Sequence, residues 1–516
     1  MDPIGSVQCM SDLPSTDHTK NSGFVILPSR QGLRLNGSHL PKRTFFGQGK
    51  LPSLNVLFVY MLLVGLMGLT VALGLKGLTV ARPIFILGCL IVAWRAWQVN
   101  PGMHIEVVIA LLAFTPFLRR VVDLYAGYDE KGIMLIGPLL ALCVALTEIR
   151  FLLLKRQQNF NAYAPYGIII VCLLYGWSIS TFRGEFLGSA IDLVKNLVPL
   201  LYAMYLIQRQ DNCEEIIQSA ARVFLIISPI MGIYGVIQYF DPPAWDRYWM
   251  IYSQMKSIGL PEPQQIRVFS TMNGPGSFAI FAACGLLLFG FCRRGIIPIL
   301  FVIPICIALL LTSIRTAWIV CFITMFYCFF FKATRSRATL LAFCLVSAGT
   351  VAVVLTPFGQ LIGDRLATMG NDPAQDGSGH ARIQEYIHVY SSLDRYMFGN
   401  GLGSKMVDLE LKNIDGEFIA SAVSMGIFIG NIHILALVWA SVQGLLKIRA
   451  DERPLRIVAA GAVVGYLAVL PLLNVSSGEI SFLFWLFVGL LPTSAATPSN
   501  LNRLTSFDGF RRRQTI

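Results

Sequence analysis

Long apolar runs separated by short polar stretches fill the chain between residues 54 and 495. A helix needs about 20 apolar residues to cross the hydrocarbon core of a bilayer. Candidate spans on that measure are 54–75, 80–98, 104–118, 132–150, 165–182, 187–208, 217–240, 274–292, 296–312, 316–332, 339–357, 417–445, 456–473 and 478–495. The run 417–445 exceeds a single crossing and is expected to tilt or to carry an extra turn. Most connections are short, with two exceptions, 241–273 and 358–416. Loops of that length in a compact protein are usually functional. In the second, Ile383, Tyr386, Ile387, Tyr390 and Leu393 recur at helical spacing and predict a helix over about 380–394. The pattern therefore predicts an all-α polytopic membrane protein of about 12–14 transmembrane helices with one large outer loop.

Composition supports this class. Of the 516 residues 55% are hydrophobic and 14% charged, whereas soluble domains carry about a quarter charged residues. Residues 1–53, rich in Ser, Gly, Pro and basic side chains, read as a disordered tail preceding a transmembrane domain at 54–495. The first apolar run lies too far from the N-terminus for a cleavable signal peptide. A net charge of +12 suggests nucleic acid only until its distribution is seen. The basic residues are scattered between spans, as membrane orientation signals are. Their excess at 150–158, 293–295, 332–337, 447–456 and 511–513 puts both termini, including a tail at 496–516, in the cytoplasm. Lys76 and Arg82 oppose this locally and leave the first hairpin open. None of the eleven cysteines falls in an outer loop on this topology, so no disulfide framework is implied.

One charge stands out. Between Gly295 and Lys332 only Arg315 is charged, in "TSIRTAW" (312–318). About 38 residues make two spans and a tight turn, which places Arg315 at the turn on the outer surface. It either snorkels to lipid headgroups or faces a cavity beside the two long loops. "TSIRTAW" resembles the Thr-x-Ser-Arg-x-Ala-Trp turn of the bacterial O-antigen ligase and polymerase superfamily. "RVFSTMNGPGSFAIF" (267–281) is similar to that family's Arg-x-Gly-Thr-Phe-x-Asn-Pro-Asn-x-Ala stretch. "ARIQEYIHVYSSLDRYMFGNGLGS" (381–404) is similar to its Arg-bearing loop helix followed by Pro-x-Phe-Gly-x-Gly. "DGEFIASAVSMGIFIG" (415–430) takes the place of its His-Asn-x-x-Leu…Gly segment. The four stretches occur in family order over about 265–435.

The resemblance implies a type-C glycosyltransferase at the periplasmic face of the bacterial inner membrane, acting on glycans carried by undecaprenyl diphosphate. The large loop 358–416 would be periplasmic. Such a donor already carries its leaving group, and what the transition state needs is positive charge on the departing oxygens. Arginine suits this, since its planar fork binds phosphate bidentately and stays charged in apolar surroundings. Arg267, Arg315 and Arg382 match positions where the family places arginines. No cofactor or metal is implied, and "DLE" (408–410) reads as a solvated loop. The family's ligases take a proton on the His of His-Asn, where this chain has Asp415-Gly416. Asp415, with Glu417 in reserve, is the candidate base, although nearby arginines would weaken it. Asp415 is equally suited to N-cap the following helix.

The remaining candidates carry two readings each. His380 and His388 could stand in for the missing histidine or simply occupy the loop, and Arg382 could pair with Glu385 one turn away. Trp245, Tyr248, Trp249 and Tyr252 could stack on sugar rings or form an interfacial aromatic belt. Asp192 and Lys195 are spaced to neutralise each other within a span. "GIFIG" (426–430) and "GAVVG" (461–465) read as helix-packing motifs, and "GNGLGS" (399–404) lacks the strand that a dinucleotide fingerprint requires.

The leading expectation is a polymerase that joins undecaprenyl-diphosphate-linked repeat units into exopolysaccharide or O-antigen. Its partners would be that glycan, membrane lipid, a chain-length co-polymerase and a flippase, with no nucleic acid. The alternatives are a ligase delivering glycan to lipid A core or protein, and a lipid-glycan flippase or secondary transporter. Transporters usually show internal repeats; none is visible here.

Overall fold

The computed structural model describes residues 53–149, 160–292, 297–355, 377–403, 416–449, 452–476 and 478–492. They are helical, and the described residues contain no strand beyond an isolated bridge between Gly259 and Ile266. The helices are α1 (Leu54–Leu75), α2 (Ala81–Val99), α3 (Pro101–Ala126), α4 (Ile136–Cys143, flanked by 3-10 turns), α5 (Phe160–Phe182), α6 (Phe186–Gln208) and α7 (Cys213–Phe240). There follow α8 (Ala244–Ser253), α9 (Pro275–Cys292), α10 (Ile297–Leu311), α11 (Arg315–Phe329), α12 (Arg335–Leu355), α13 (Gly377–Ser391) and α14 (Leu393–Tyr396). The last four are α15 (Glu417–Met425), α16 (Ile427–Leu445), α17 (Pro454–Ala468) and α18 (Gly478–Leu490).

Where their residues are described, the predicted spans are mostly helical. Six of the described helices are long and apolar enough to cross a membrane, namely α1, α2, α5, α6, α7 and α16. This is an all-α, multi-pass membrane protein. Shorter apolar helices pack among the long ones. Leu57, Phe58, Met61 and Val64 of α1 are exposed, as a lipid-facing helix requires.

The centre is built around α3. Asn100 caps it by accepting the Met103 N–H, and Pro101 opens the first turn where its missing donor costs nothing. Residues from Gly102 to Asp123 are almost all buried, His104, Glu106, Arg119, Arg120 and Asp123 among them. Small residues set the close crossings. A Cβ at Gly232 of α7 would lie 2.6 Å from the Ile305 nitrogen of α10. On α17, Cβ atoms at Gly461 and Gly465 would lie 3.1 Å from Thr324 and 2.9 Å from the Val320 carbonyl of α11. The 461–465 motif is therefore a helix-packing surface, with α11 as its partner.

Two expectations about elements change. The run 417–445 is not one helix: Gly426, at φ +84°, separates α15 from α16, because a Cβ there would sit 2.4 Å from the Met397 carbonyl. In "GIFIG" the first glycine thus marks a break occupied by another chain segment, and the second, Gly430, packs against α15, where a Cβ would lie 2.7 Å from the Ser421 carbonyl. The loop helix α13 forms as expected, but Ile383, Ile387 and Tyr390 of its apolar stripe stay exposed. The face that meets α15 is set by Val389 and the half-buried Tyr386. Periodicity locates the helix without telling which flank another helix will cover.

Candidate functional site

The ends of several helices and two connections meet at one level of the bundle. Residues 266–268 run beside the end of α10, where the Val268 N–H donates to the Leu311 carbonyl at 3.4 Å. Arg267 is held there through its own N–H, which donates to Ile258 at 2.9 Å. Four residues beyond Leu311 comes Arg315, the first residue of α11, after a turn that holds Ser313 at φ +57°. The antiparallel α11–α17 contacts, 320 against 465 and 324 against 461, bring Arg315 to the level of Leu470. The Leu470 carbonyl accepts the Glu417 N–H at 2.8 Å, and the next carbonyl, Pro471, accepts the Tyr386 hydroxyl at 2.9 Å. Tyr386 lies one turn from Arg382 on α13. Its phenol is pushed up to about 12 by burial and by Tyr390, with Arg382 pulling the other way. Nearby, Ser277 of α9 donates to Glu479 at the start of α18 at 3.3 Å.

Glu417 is a buried carboxylate of this region. It is 1% exposed. Oε2 accepts the Ser476 N–H at 3.0 Å, and Oε1 accepts from Ser421 Oγ at 3.4 Å. Ser421 Oγ also lies 3.2 Å from His433 Nδ1, and that nitrogen is 3.8 Å from Glu417 Oε1. A carboxylate, a hydroxyl and an imidazole in contact can share and pass a proton. The sequence expectation treats the histidine as missing near residue 416, yet α16 returns one to within 4 Å of Glu417. A lone histidine in an apolar span was the available signal.

The segment 267–273 is fixed from beneath by residues that the sequence expectation did not select. Arg120 of α3 is fully buried and pairs with Asp246, also fully buried, at 2.7 Å. The same guanidinium donates to the carbonyls of Ser270 and Met272 and lies over the Phe269 ring, 4.8 Å from its centroid. Gln238 Oε1 accepts the N–H groups of Phe269 and Ser270 at 3.0 and 2.8 Å, while its amide donates to Asp246 at 2.6 Å. Trp249, 2% exposed, covers Arg120, so its ring has no face for a sugar. The Trp245 indole donates to Tyr234, itself bonded to Asp246. Both tryptophans serve the support of the 267–273 segment. Ile251 and Tyr252 of α8 keep a mostly exposed apolar flank, while Trp245 is half-buried and Trp249 is buried.

The glycine-rich stretch after α14 is a wedge between α5 and α15. Asn400 and Gly401 donate to the carbonyls of Val423 and Ser424, and Leu402 to that of Gly176. Ser180 donates to the Leu402 carbonyl at 2.6 Å, and Arg183 to that of Asn400 at 3.0 Å. A Cβ at Gly401 would lie 2.1 Å from Ser180 Oγ.

Placement of the candidates is thus uneven. The Glu417 backbone and Tyr386, one turn from Arg382, bond to the 470–471 turn, Arg315 lies at the same level of the bundle, and Arg267 lies beside the end of α10. His388 packs edge-on against the fully buried Tyr396, 6.3 Å between centroids, and its Nε2 has no hydrogen-bond partner among the described residues. His380 falls within α13, but its side chain, like the whole of Asp415, lies outside the described residues. The cap position of α15 belongs to Gly416, at φ +106°, so the helix begins one residue later than the Asp415 cap requires. Lys195 and Asp192 pair at 2.9 Å, as their spacing predicts. Among the described residues no cluster of three metal-ligating side chains occurs and no cysteines are paired. The fold is that of a multi-pass, all-α membrane protein, with a buried carboxylate, Glu417, beside a serine and a histidine. No family model matches the chain, and no curated protein is significantly similar to it.

Proposed function

We propose that the protein is a membrane glycosyltransferase that polymerises undecaprenyl-diphosphate-linked repeat units at the outer face of the bacterial inner membrane. The observation that carries this reading is the shared turn at Leu470–Pro471, which takes hydrogen bonds from Glu417 and from the Arg382-bearing helix and lies level with Arg315. In the reaction, a hydroxyl oxygen of the incoming unit attacks the anomeric carbon of the growing chain. The bond from that carbon to the diphosphate breaks with inversion, and undecaprenyl diphosphate leaves with the electron pair. Arg315, Arg382 and Arg267 offset the charge gathering on the departing oxygens, and the acceptor's proton passes to a carboxylate, Asp415 or Glu417. The four family-like stretches in order and the loop length support the same reading.

The test is glycan analysis of cells. Arg315→Ala should leave the protein in the membrane at normal abundance. Polymerisation should fall by about 10²–10³-fold, the scale of losing one donor to a developing oxyanion. Single lipid-linked units then accumulate on the outer leaflet. Units trapped on the cytoplasmic leaflet would instead indicate a flippase, and long unattached polymer a ligase. Normal chain lengths in that strain would defeat the proposal.

A further inference from the structure

A cavity of about 550 Å³ opens far from the candidate site, between Phe58 and Leu62 of α1, Leu90 and Ile91 of α2, and Val144 beyond α4. Its position along the bundle follows from α3. Arg120, near one end of α3, touches the 270–272 segment, while Gly102, at the other end, abuts the start of α7. Nineteen residues of helix separate the levels of 101 and 120, about 30 Å. Arg95 lies in the last turns of α2, next to the 101 end. The cavity is therefore at the end of the bundle opposite Arg315 and Glu417. Its walls are hydrocarbon apart from Arg95 and the exposed Trp94, a pair suited to the headgroup level.

Arg95 is unlike its neighbours. Arg82, Arg119, Arg120, Arg209 and Arg222 each lie against a carboxylate. Arg95 is not among the described ion pairs; its guanidinium donates to the neutral Gln98 side chain at 2.8 Å and lies 5.8 Å from the Phe58 ring centroid. An apolar hollow of this size forfeits dispersion contacts if empty and offers water no polar partners. An acyl chain from the surrounding bilayer would fit it, and the charge at its mouth would select the headgroup.

We infer that the α1–α2 cavity is a binding site for one anionic glycerophospholipid, its acyl chain in the hollow and its phosphate on Arg95. A zwitterionic lipid brings an ammonium to the same place and is disfavoured. The site is independent of the proposed enzymatic activity.

Native mass spectrometry of the full-length protein, exchanged into detergent and titrated with phosphatidylglycerol or phosphatidylcholine, tests this. The wild type should retain one phosphatidylglycerol about fivefold more strongly than phosphatidylcholine, the effect of one basic side chain near anionic lipid. Arg95→Gln should abolish the preference, and Leu62→Trp, which fills the hollow, should lower retention of both lipids. Equal binding of the two lipids by the wild type, or an unchanged preference in Arg95→Gln, overturns the inference. So does lipid retention that appears only when residues 1–50 are removed, since the occupant is then the chain's own tail. Should the variants not fold, phosphatidylglycerol with a photoreactive acyl chain gives a second reading on the wild type. Labelling of the peptides around Phe58–Leu62 and Leu90–Trp94 supports the site, and labelling confined to other helices overturns it.

Discussion

Arg120 and Asp246 are both fully enclosed, so each holds the other's charge where neither would persist alone. Removing one partner of a buried pair costs about 3–5 kcal/mol, because the other is left uncompensated. Arg120→Ala should therefore lower the thermal midpoint in detergent sharply. Adding Asp246→Ala should return part of the loss, and a double-mutant cycle on unfolding midpoints measures it. Arg315, by contrast, is half-buried at a helix start, and its loss should fall on activity. The two arginines also show what a sequence discloses at this scale. Arg315 is conspicuous because about twenty apolar residues flank it on one side and sixteen on the other. Arg120 sits beside Arg119 near the end of a span, as orientation signals do, and its partner lies 126 positions away. Glu417 was legible as a carboxylate at a span boundary, but its contact with His433 depends on the break at Gly426.

Between helices, the closest documented approach on α17 is Gly465 to the Val320 carbonyl, 2.9 Å for an added Cβ. Gly465→Leu should overpack the α11–α17 seam and cost about 1–3 kcal/mol, read as a lower midpoint with Arg315 displaced from the 470 level and activity reduced. One hydrogen bond holding α13 in place comes from the Tyr386 phenol. Tyr386→Phe should cost about 1 kcal/mol near neutral pH, the worth of one hydrogen bond. The folded phenol is raised to about 12 from an ordinary value near 10. Its stabilisation is thus complete below pH 10 and is lost as pH rises towards 12. Wild type should lose more stability across that window than Tyr386→Phe does, which paired unfolding curves against pH would reveal. Helix positions were legible because apolar run lengths report them directly. The α15–α16 break was not, since what forbids a side chain at residue 426 is a carbonyl from residue 397, a contact that no local pattern encodes.

For the molecule as a whole, the alternation of apolar runs and short connections is enough to give an all-α membrane protein, because a bilayer admits few other solutions. The sidedness proposed from the basic connections is open to direct measurement. An alkaline phosphatase fusion near Ser392 should be active and one within 446–453 inactive, and the reverse pattern would invert the proposed topology. The site is less legible than the fold, because hydropathy fixes the level at which a residue sits but not its angular neighbours. The wedge at 398–403 has a further consequence of its own. Gly399, Gly401 and Gly403 each abut a different stretch, namely Gly426, Ser180 and the 188–192 turn of α6, at Cβ distances of 2.4, 2.1 and 2.8 Å. The spacing of the three is accordingly locked like the teeth of a key. Related chains should tolerate substitutions around these glycines far more readily than the gain or loss of a single residue between them.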